Sequence, residues 1–234
     1  VTTMQQAPDF SFPYGEEKGE VKAIPFRNID EIGPAGSINS SVNEMTNWLF
    51  LQMNQGKVGD KQIISERSLL ETQTPQIVAG GDLKYDESSY VSYAMGWAVY
   101  VYRGHHILRH GGGIDGFTSN VTVLPKDKLG VVVLTNSGSP ASGLIANVAV
   151  DRMLGLSDVP HVQRVKEAEA KGKEAAAKAK ADDEAKRKKD TKPTLALAEY
   201  VGQFEHPAYQ TLTITRDGEQ LKGNLHGMPF TLKH

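Results

Sequence analysis

The sequence predicts an α+β fold: an antiparallel sheet with packed helices, then a charged helical linker and an incomplete all-β module. Three observations predict it. Between Tyr93 and Asn136, β-branched runs follow one another across short turn segments, Arg103-Gly104 and Pro125-Lys126-Asp127-Lys128, connections that only antiparallel neighbours permit. Apolar residues at helical spacing flank this region at 42–53 and 142–154. Beyond residue 160 the apolar pattern stops, and alanine alternates with lysine and glutamate until short strand-like runs begin after Pro193.

Taken in order, residues 1–33 are interrupted by Pro8, Pro13, Pro25, Gly15 and Gly19 and read as an irregular covering segment. Pro34-Ala35-Gly36 then leads into a helix that Ser41 caps and Glu44 completes as a capping box, with Gly56 beyond its end. Val42, Met45, Leu49 and Met53 share one face, and Trp48, Phe50 and Leu51 widen it. A stripe of this width predicts a largely buried helix, and core rather than a cofactor box. A shorter helix over 66–73 is capped by Ser65 and stops ahead of Pro75. Residues 76–92, with Gly80-Gly81 and two tyrosines, read as a loop. Strand patterns cover 94–102, 106–109, 119–124 and 130–136, and a helix over 142–154 ends at Gly155.

The stretch 161–192 holds eight alanines and no sustained apolar stripe, which predicts a solvated helix or semi-rigid spacer. Fully helical, it would span on the order of 45 Å. Three runs follow at 200–204, 212–215 and 220–225, with Arg216-Asp217-Gly218-Glu219 as a hairpin turn. The expected division is 1–158, linker 159–193, and β module 194–234.

With 39% hydrophobic and 23% charged residues, the 234-residue chain has an ordinary globular composition. It has no cysteine, which excludes disulfides, a thiol nucleophile and thiolate metal sites. No run approaches the roughly 20 apolar residues of a membrane helix. Of the net charge of −2, residues 163–192 carry +4 and the remainder −6. A mildly acidic body without a basic, aromatic-lined face is not a nucleic-acid footprint.

The stretch that invites a functional reading is His110-Gly111-Gly112-Gly113-Ile114-Asp115-Gly116-Phe117, between two strand patterns. Glycines let a backbone approach a ligand closely and aim N–H groups at developing negative charge. Gly111, Gly113 and Gly116 satisfy G-x-G-x-x-G, but a dinucleotide site needs a helix next, and β-branched alternation follows. A lipase-type oxyanion loop needs a downstream G-x-S-x-G, and none occurs. A glycine-rich β-turn without chemistry is the plain alternative. Among the histidines, His110 is the candidate; His105-His106 read as turn residues, and His161, His206, His226 and His234 show no metal-ligand spacing. Neither metal nor cofactor is expected.

Pro34-Ala35-Gly36-Ser37-Ile38-Asn39-Ser40-Ser41-Val42-Asn43-Glu44-Met45, Trp48-Leu49, His110-Gly111-Gly112-Gly113 with Gly116-Phe117, and Val131-Val132-Val133-Leu134-Thr135-Asn136 together resemble the serine β-lactamase and penicillin-binding-protein-like family. The nearest branch is the class C β-lactamase-related one, which includes esterases and D-amino-acid peptidases. The resemblance covers about residues 1–155 and implies a partial β-lactamase/transpeptidase-like fold. Such enzymes join Ser-x-x-Lys, a Tyr motif, and Lys-Thr-Gly or His-x-Gly. Only the third is here, at His110-Gly111-Gly112; no serine has a lysine three residues on. Tyr90-Val91-Ser92 mimics the second but stands too close to His110, and it reads as strand or loop.

The resemblance implies acyl transfer through a serine ester to an ester, amide or β-lactam substrate, a small molecule or peptide. His110 would orient a substrate carboxylate or assist proton movement, Gly111 and Gly112 would line the substrate, and Gly113 would offer its N–H to the oxyanion. The residues 76–92 would lie near the site's rim, and a periplasmic or extracellular place is implied. The module after 193 resembles a small β-rich domain appended to such hydrolases. Val1 is not a translational start, and Pro229-Phe230-Thr231-Leu232-Lys233-His234 stops within an alternating pattern, so a fragment, inactive alone, is expected. A non-catalytic binding or interaction protein retaining the scaffold is the other reading. Substrate and oligomeric state are not legible.

Overall fold

The computed structural model describes residues 2–17, 19–27, 29, 32–80, 85–188 and 190–233. Gly81 and His234 lie outside these. The chain divides into two compact units, 1–170 and 171–234.

The first unit opens with a short helix α1 (Thr2–Gln5) and a hairpin, β1 (Tyr14–Glu17) and β2 (Glu20–Ala23). The segment expected to be irregular therefore contains secondary structure. Its prolines misled the reading: Pro8, Pro13 and Pro25 all fall outside the two strands, where the missing N–H costs no ladder bond. After α2 (Gly33–Gly36) comes α3 (Val42–Met53), with its capping box formed: Ser41 Oγ accepts from Glu44 N at 3.2 Å, and Ser41 N donates to the Glu44 carboxylate at 3.3 Å. A two-stranded ribbon, β3 (Lys57–Val58) and β4 (Lys61–Gln62), leads to α4 (Glu66–Gln73), capped by Ser65 and ended before Pro75.

The expectation that α3 is largely buried does not hold. Only Leu49, Leu51 and Gln52 are buried, while Val42, Trp48 and Phe50 are about half exposed. One helix can press only one side against the sheet, and a stripe this wide leaves apolar flanks uncovered.

The main sheet has six antiparallel strands: β5 (Ile77–Val78), β6 (Ser88–Tyr93), β7 (Ala98–Tyr102), β8 (His105–Ile114), β9 (Phe117–Leu124) and β10 (Leu129–Thr135). Their spatial order is β10-β9-β8-β7-β6-β5. Residues 76–92 are thus partly strand rather than loop; a bulge between Ser89 and Ser92 breaks the alternation that would have revealed β6.

Cross-strand partners share a face. On one face Val99, Leu108 and Val123 pack with Ala94, Trp97 and Leu49 of α3. On the other, Tyr102, Ile107, Leu124 and Leu129 pack with Val150 of α5 (Ala141–Met153). Leu108, Val123 and Leu124 have no accessible surface, and each buried aliphatic side chain of this kind contributes roughly 1.5–3 kcal/mol. Where α3 crosses β10, a Cβ on Gly130 would stand 2.9 Å from Leu49 Cδ1 and 3.2 Å from Leu49 Cβ, so this close approach requires glycine.

A helix, α6 (His161–Lys186), spans most of the expected linker. Its first turn is anchored, not solvated. Buried His161 places Nε2 2.7 Å from Asp151 Oδ2, and Tyr102 donates its hydroxyl to Asp151 Oδ1 at 2.7 Å. Burial and the neighbouring carboxylate push the Tyr102 hydroxyl well above its usual pKa. Arg103 donates to Ser157 Oγ and O, and Arg164 donates to Glu87 at 2.8 Å, holding that carboxyl below the usual range.

In the second unit a 3-10 turn (Leu197–Tyr200) precedes an antiparallel sheet of β11 (Gly202–His206), β12 (Gln210–Asp217), β13 (Gln220–Leu225) and β14 (Met228–Leu232) in sequential order. Phe204, Leu212, Leu225 and Met228 form one row across it, and Gly202, Ile214, Gly223 and Phe230 the next. Gly223 is buried beneath the Phe230 ring, which a side chain there would displace.

Two stability outcomes follow for the first unit, both read from urea unfolding. Gly130→Ala should destabilise it by about 1–3 kcal/mol through overpacking against Leu49. Asp151→Ala, which leaves His161 and Tyr102 buried without their acceptor, should cost about 3 kcal/mol.

Candidate active site

The ten residues of β8 change character at Arg109. His105 to Leu108 are half or fully buried, whereas His110, Gly111, Gly112 and Gly113 are exposed. The cause is the neighbour's length. Pairing with β7 runs from Tyr102↔His105 to Ala98↔Arg109 and stops, while pairing with β9 continues to Ile114↔Phe117. From His110 to Ile114 the strand therefore has a partner on one side only among the described residues. On its other side no strand pairs with it among the described residues, and α2 lies nearby, where a Cβ on Gly36 would stand 3.7 Å from Ile114 Cδ1.

Arg109 fixes this half from beneath. On the α5 face it donates to Asn147 Oδ1 at 2.7 Å and to the Gly143 carbonyl at 3.1 Å. The Asn120 amide, oriented by the donors around it, accepts from Arg109 Nε at 2.9 Å and donates to Thr122 Oγ1 at 2.7 Å. Gly143 leaves room for the guanidinium, since a Cβ there would lie 3.1 Å from Arg109 Nη2.

His110 projects on the opposite face, the one that α3 covers further along. Its Nε2 lies 3.1 Å from Tyr93 Oη, with ring centroids 6.2 Å apart. Tyr93 ends β6, paired with Ile77 and Ala98, so the strand beyond β7 delivers a hydroxyl to the candidate histidine. Sequence reasoning passed over Tyr93 because it sits within an ordinary strand pattern; only strand order brings it beside His110.

The three glycines are strand, not turn. None has a positive φ; the reversal is made by Asp115 at φ 35° and Gly116 at φ 77°. The plain glycine-turn reading therefore fails at Gly111, Gly112 and Gly113, and a strand follows Gly116 where a dinucleotide site needs a helix. Their role is absence of side chains. A Cβ on Gly112 would meet Ser119 Oγ at 2.5 Å, and one on Gly113 would meet nothing within 4 Å, so the strand's surface is bare.

The other histidines fall elsewhere. His105 and His106 lie in β8 rather than in a turn, because β8 begins immediately after the Arg103-Gly104 reversal. His105 Nδ1 is 2.9 Å from Asp127 Oδ1, and burial lowers the pKa of His106. His206 Nδ1 accepts from Ala208 and Tyr209 N–H in a turn. Tyr90 sits in the β6 bulge, at φ 58° and largely exposed. Among the described residues no group of three or more His, Asp or Glu could hold a metal, and no helix is long and apolar enough to cross a membrane.

Comparison with known proteins places this geometry in context. Residues 3–152 match the family described as Beta-lactamase, and residues 186–234 match a domain of unknown function, DUF3471. The chain is 28% identical over 211 residues to the unguisins hydrolase ungD' of Aspergillus campestris, covering 84% of this chain and 37% of the relative. It is 31% identical over 130 residues to the unguisins hydrolase ungD of Aspergillus violaceofuscus, covering 52% and 23%. The octameric penicillin-binding protein homologue from Pyrococcus abyssi superposes with a TM-score of 0.57 at 19% identity, over 98% of this chain and 45% of that one. At that identity the likeness is one of fold. The chain spans less than half the length of each of these three.

Replacing Tyr93 with Phe removes only the hydroxyl beside His110. The ring-nitrogen ¹⁵N shifts of His110 should move toward those of a free, tautomer-mixed imidazole, while stability changes by less than about 1 kcal/mol because the pair is exposed.

Proposed function

The chain belongs to the beta-lactamase family, and from that premise we propose that it forms the sheet side of a serine hydrolase site of the class C-related type. The observation that carries this is the one-sided stretch of β8, with His110 hydrogen bonded to Tyr93 and three bare glycines beyond it. The reaction is acyl transfer to water from an ester, amide or β-lactam, by way of a serine ester.

No serine of the chain precedes a lysine by three positions, so the nucleophile and its base come from a part of the parent protein outside these residues. Serine Oγ attacks the carbonyl carbon and its proton passes to the base; the carbonyl oxygen becomes an oxyanion. Gly113 N–H and the N–H of the serine hold that charge. Collapse expels the alcohol or amine, which takes the proton, and water then cleaves the ester by the same route. His110 binds the substrate carboxylate or assists proton movement beside the leaving group. Gly111 and Gly112 let the acyl chain lie against the strand without a side chain in the way. The names of the two fungal relatives support hydrolysis, and a peptide substrate is compatible with the one-sided stretch of β8.

Acyl-enzyme trapping tests the reading. The parent protein, treated with a fluorophosphonate or a β-lactam, should gain one covalent adduct on a serine outside this chain, and the 234-residue chain should gain none. His110→Ala in the parent should lower kcat/KM about 10²-fold. A parent that forms no adduct and turns over no ester or amide is a binding protein instead.

A further inference from the structure

Where β9 turns into β10, the last turn of α3, the helix α4 and residues 125–128 enclose a cleft of about 230 Å³ that the proposed chemistry does not use. His110 pairs with Val121, four residues before Pro125, which sets the cleft about 13 Å along the sheet from that histidine at roughly 3.4 Å per residue.

Much of the polar lining closes the end of α3. A helix leaves its last carbonyls without partners of its own. Here Gln73 Nε2 donates to Gln52 O at 3.2 Å, and Lys128 Nζ donates to Met53 O at 2.5 Å. Gln55 donates to the Glu66 carboxylate at 2.8 Å. Gln73 Nε2 also donates to Gln52 Oε1 at 2.9 Å, which joins the two carboxamides.

That closure leaves two groups of the lining unspent. Gln52 is only 4% exposed, yet its Nε2 donates to nothing among the described residues, and Gln73 Oε1 accepts from nothing among them. Buried amide groups are rarely left unpaired. Lys126, exposed on the turn, forms no hydrogen bond or ion pair among the described residues. Leu69, Leu70 and Pro125 supply apolar lining.

We infer that this cleft binds an N-acyl amino acid, its amide against Gln52 and Gln73, its apolar side chain against Leu69 and Leu70, and its carboxylate toward Lys126. A donor beside an acceptor matches one amide, whose carbonyl takes the Gln52 N–H and whose N–H reaches Gln73 Oε1. The volume is below the roughly 300 Å³ at which sites for drug-sized ligands begin, so the occupant is a single residue rather than a peptide. Glu66 also lines the cleft, but Gln55 engages it, and Lys126 and Lys128 outweigh its charge. The inference does not rest on the hydrolase reading.

The test titrates the ¹⁵N-labelled 234-residue chain with N-acetylleucine. The carboxamide signals of Gln52 and Gln73 should shift saturably with a millimolar Kd, as about a dozen heavy atoms warrant, while those of His110 stay in place. 4-Methylpentanoate, which keeps the side chain and carboxylate without the amide, should bind about fivefold more weakly. The methyl ester of N-acetylleucine, without the charge, should bind about threefold more weakly. Lys126→Gln, at an exposed side chain, should fold normally and remove the difference between acid and ester. Gln52→Met, close in volume, should remove the advantage of the amide. No saturable shift below about 50 mM, a concentration well above the expected Kd, would overturn the site, as would equal binding of 4-methylpentanoate. An acid-to-ester ratio unchanged in Lys126→Gln would overturn the place of the carboxylate. Shifts at His110 in place of Gln52 would move the ligand to the proposed hydrolase site and overturn the cleft.

Discussion

The organisation of this molecule depends on an inequality of length: β7 has five residues and β8, which it flanks, has ten. An antiparallel ladder satisfies backbone amides on both sides of a strand only as far as both neighbours extend. Where β7 ends, β8 passes from the middle of a sheet to its border without leaving the plane, and only the backbone groups on the β9 side remain paired to a strand among the described residues. An open edge is normally blunted, because it pairs with whatever extended chain it meets. Here the part without a second strand partner begins at a polar pair, Tyr93 and His110, and continues through three glycines.

Such an edge is useful only if rigid, and the rigidity comes from the buried half of the same strand. Ile107 and Leu108 are locked between the two core layers, one built on α3 and one on α5. Arg109, the last residue paired on both sides, converts that packing into a positional constraint by binding α5 through Asn147 and Gly143. His110 follows directly, so its position is set by hydrogen bonds on the opposite face of the sheet. The close contact of Gly130 with Leu49 serves the same end by seating α3 on β10.

Much of this was legible in the residues. Both helix caps at Ser41 and Ser65 formed as their spacing required, and the helix before Gly155 and the hairpin at Gly218 fell where expected. Such signals are local: a cap or turn is decided by residues within one turn of each other. The failures share a different cause. Three of the seven residues of the α3 stripe, Val42, Trp48 and Phe50, are exposed because burial depends on what lies opposite. The β1–β2 hairpin escaped notice because proline was weighed without knowing which backbone positions needed an N–H. His161 and Arg164 looked like the start of a solvated linker, yet Tyr102, Asp151 and Glu87, distant in sequence, hold the first turn of α6.

The sequence by itself determined the α+β class, the antiparallel order of the central strands, the His110-Gly111-Gly112 pattern that resembles the family's third motif and the absence of Ser-x-x-Lys, since each is written in neighbouring residues. Only the tertiary structure decided that the three glycines are strand rather than turn, that Tyr93 reaches His110, and that Gln73 and Lys128 close the end of α3. Those facts depend on where a neighbouring strand stops and how distant segments pack against a helix end. No local period encodes the end of another strand.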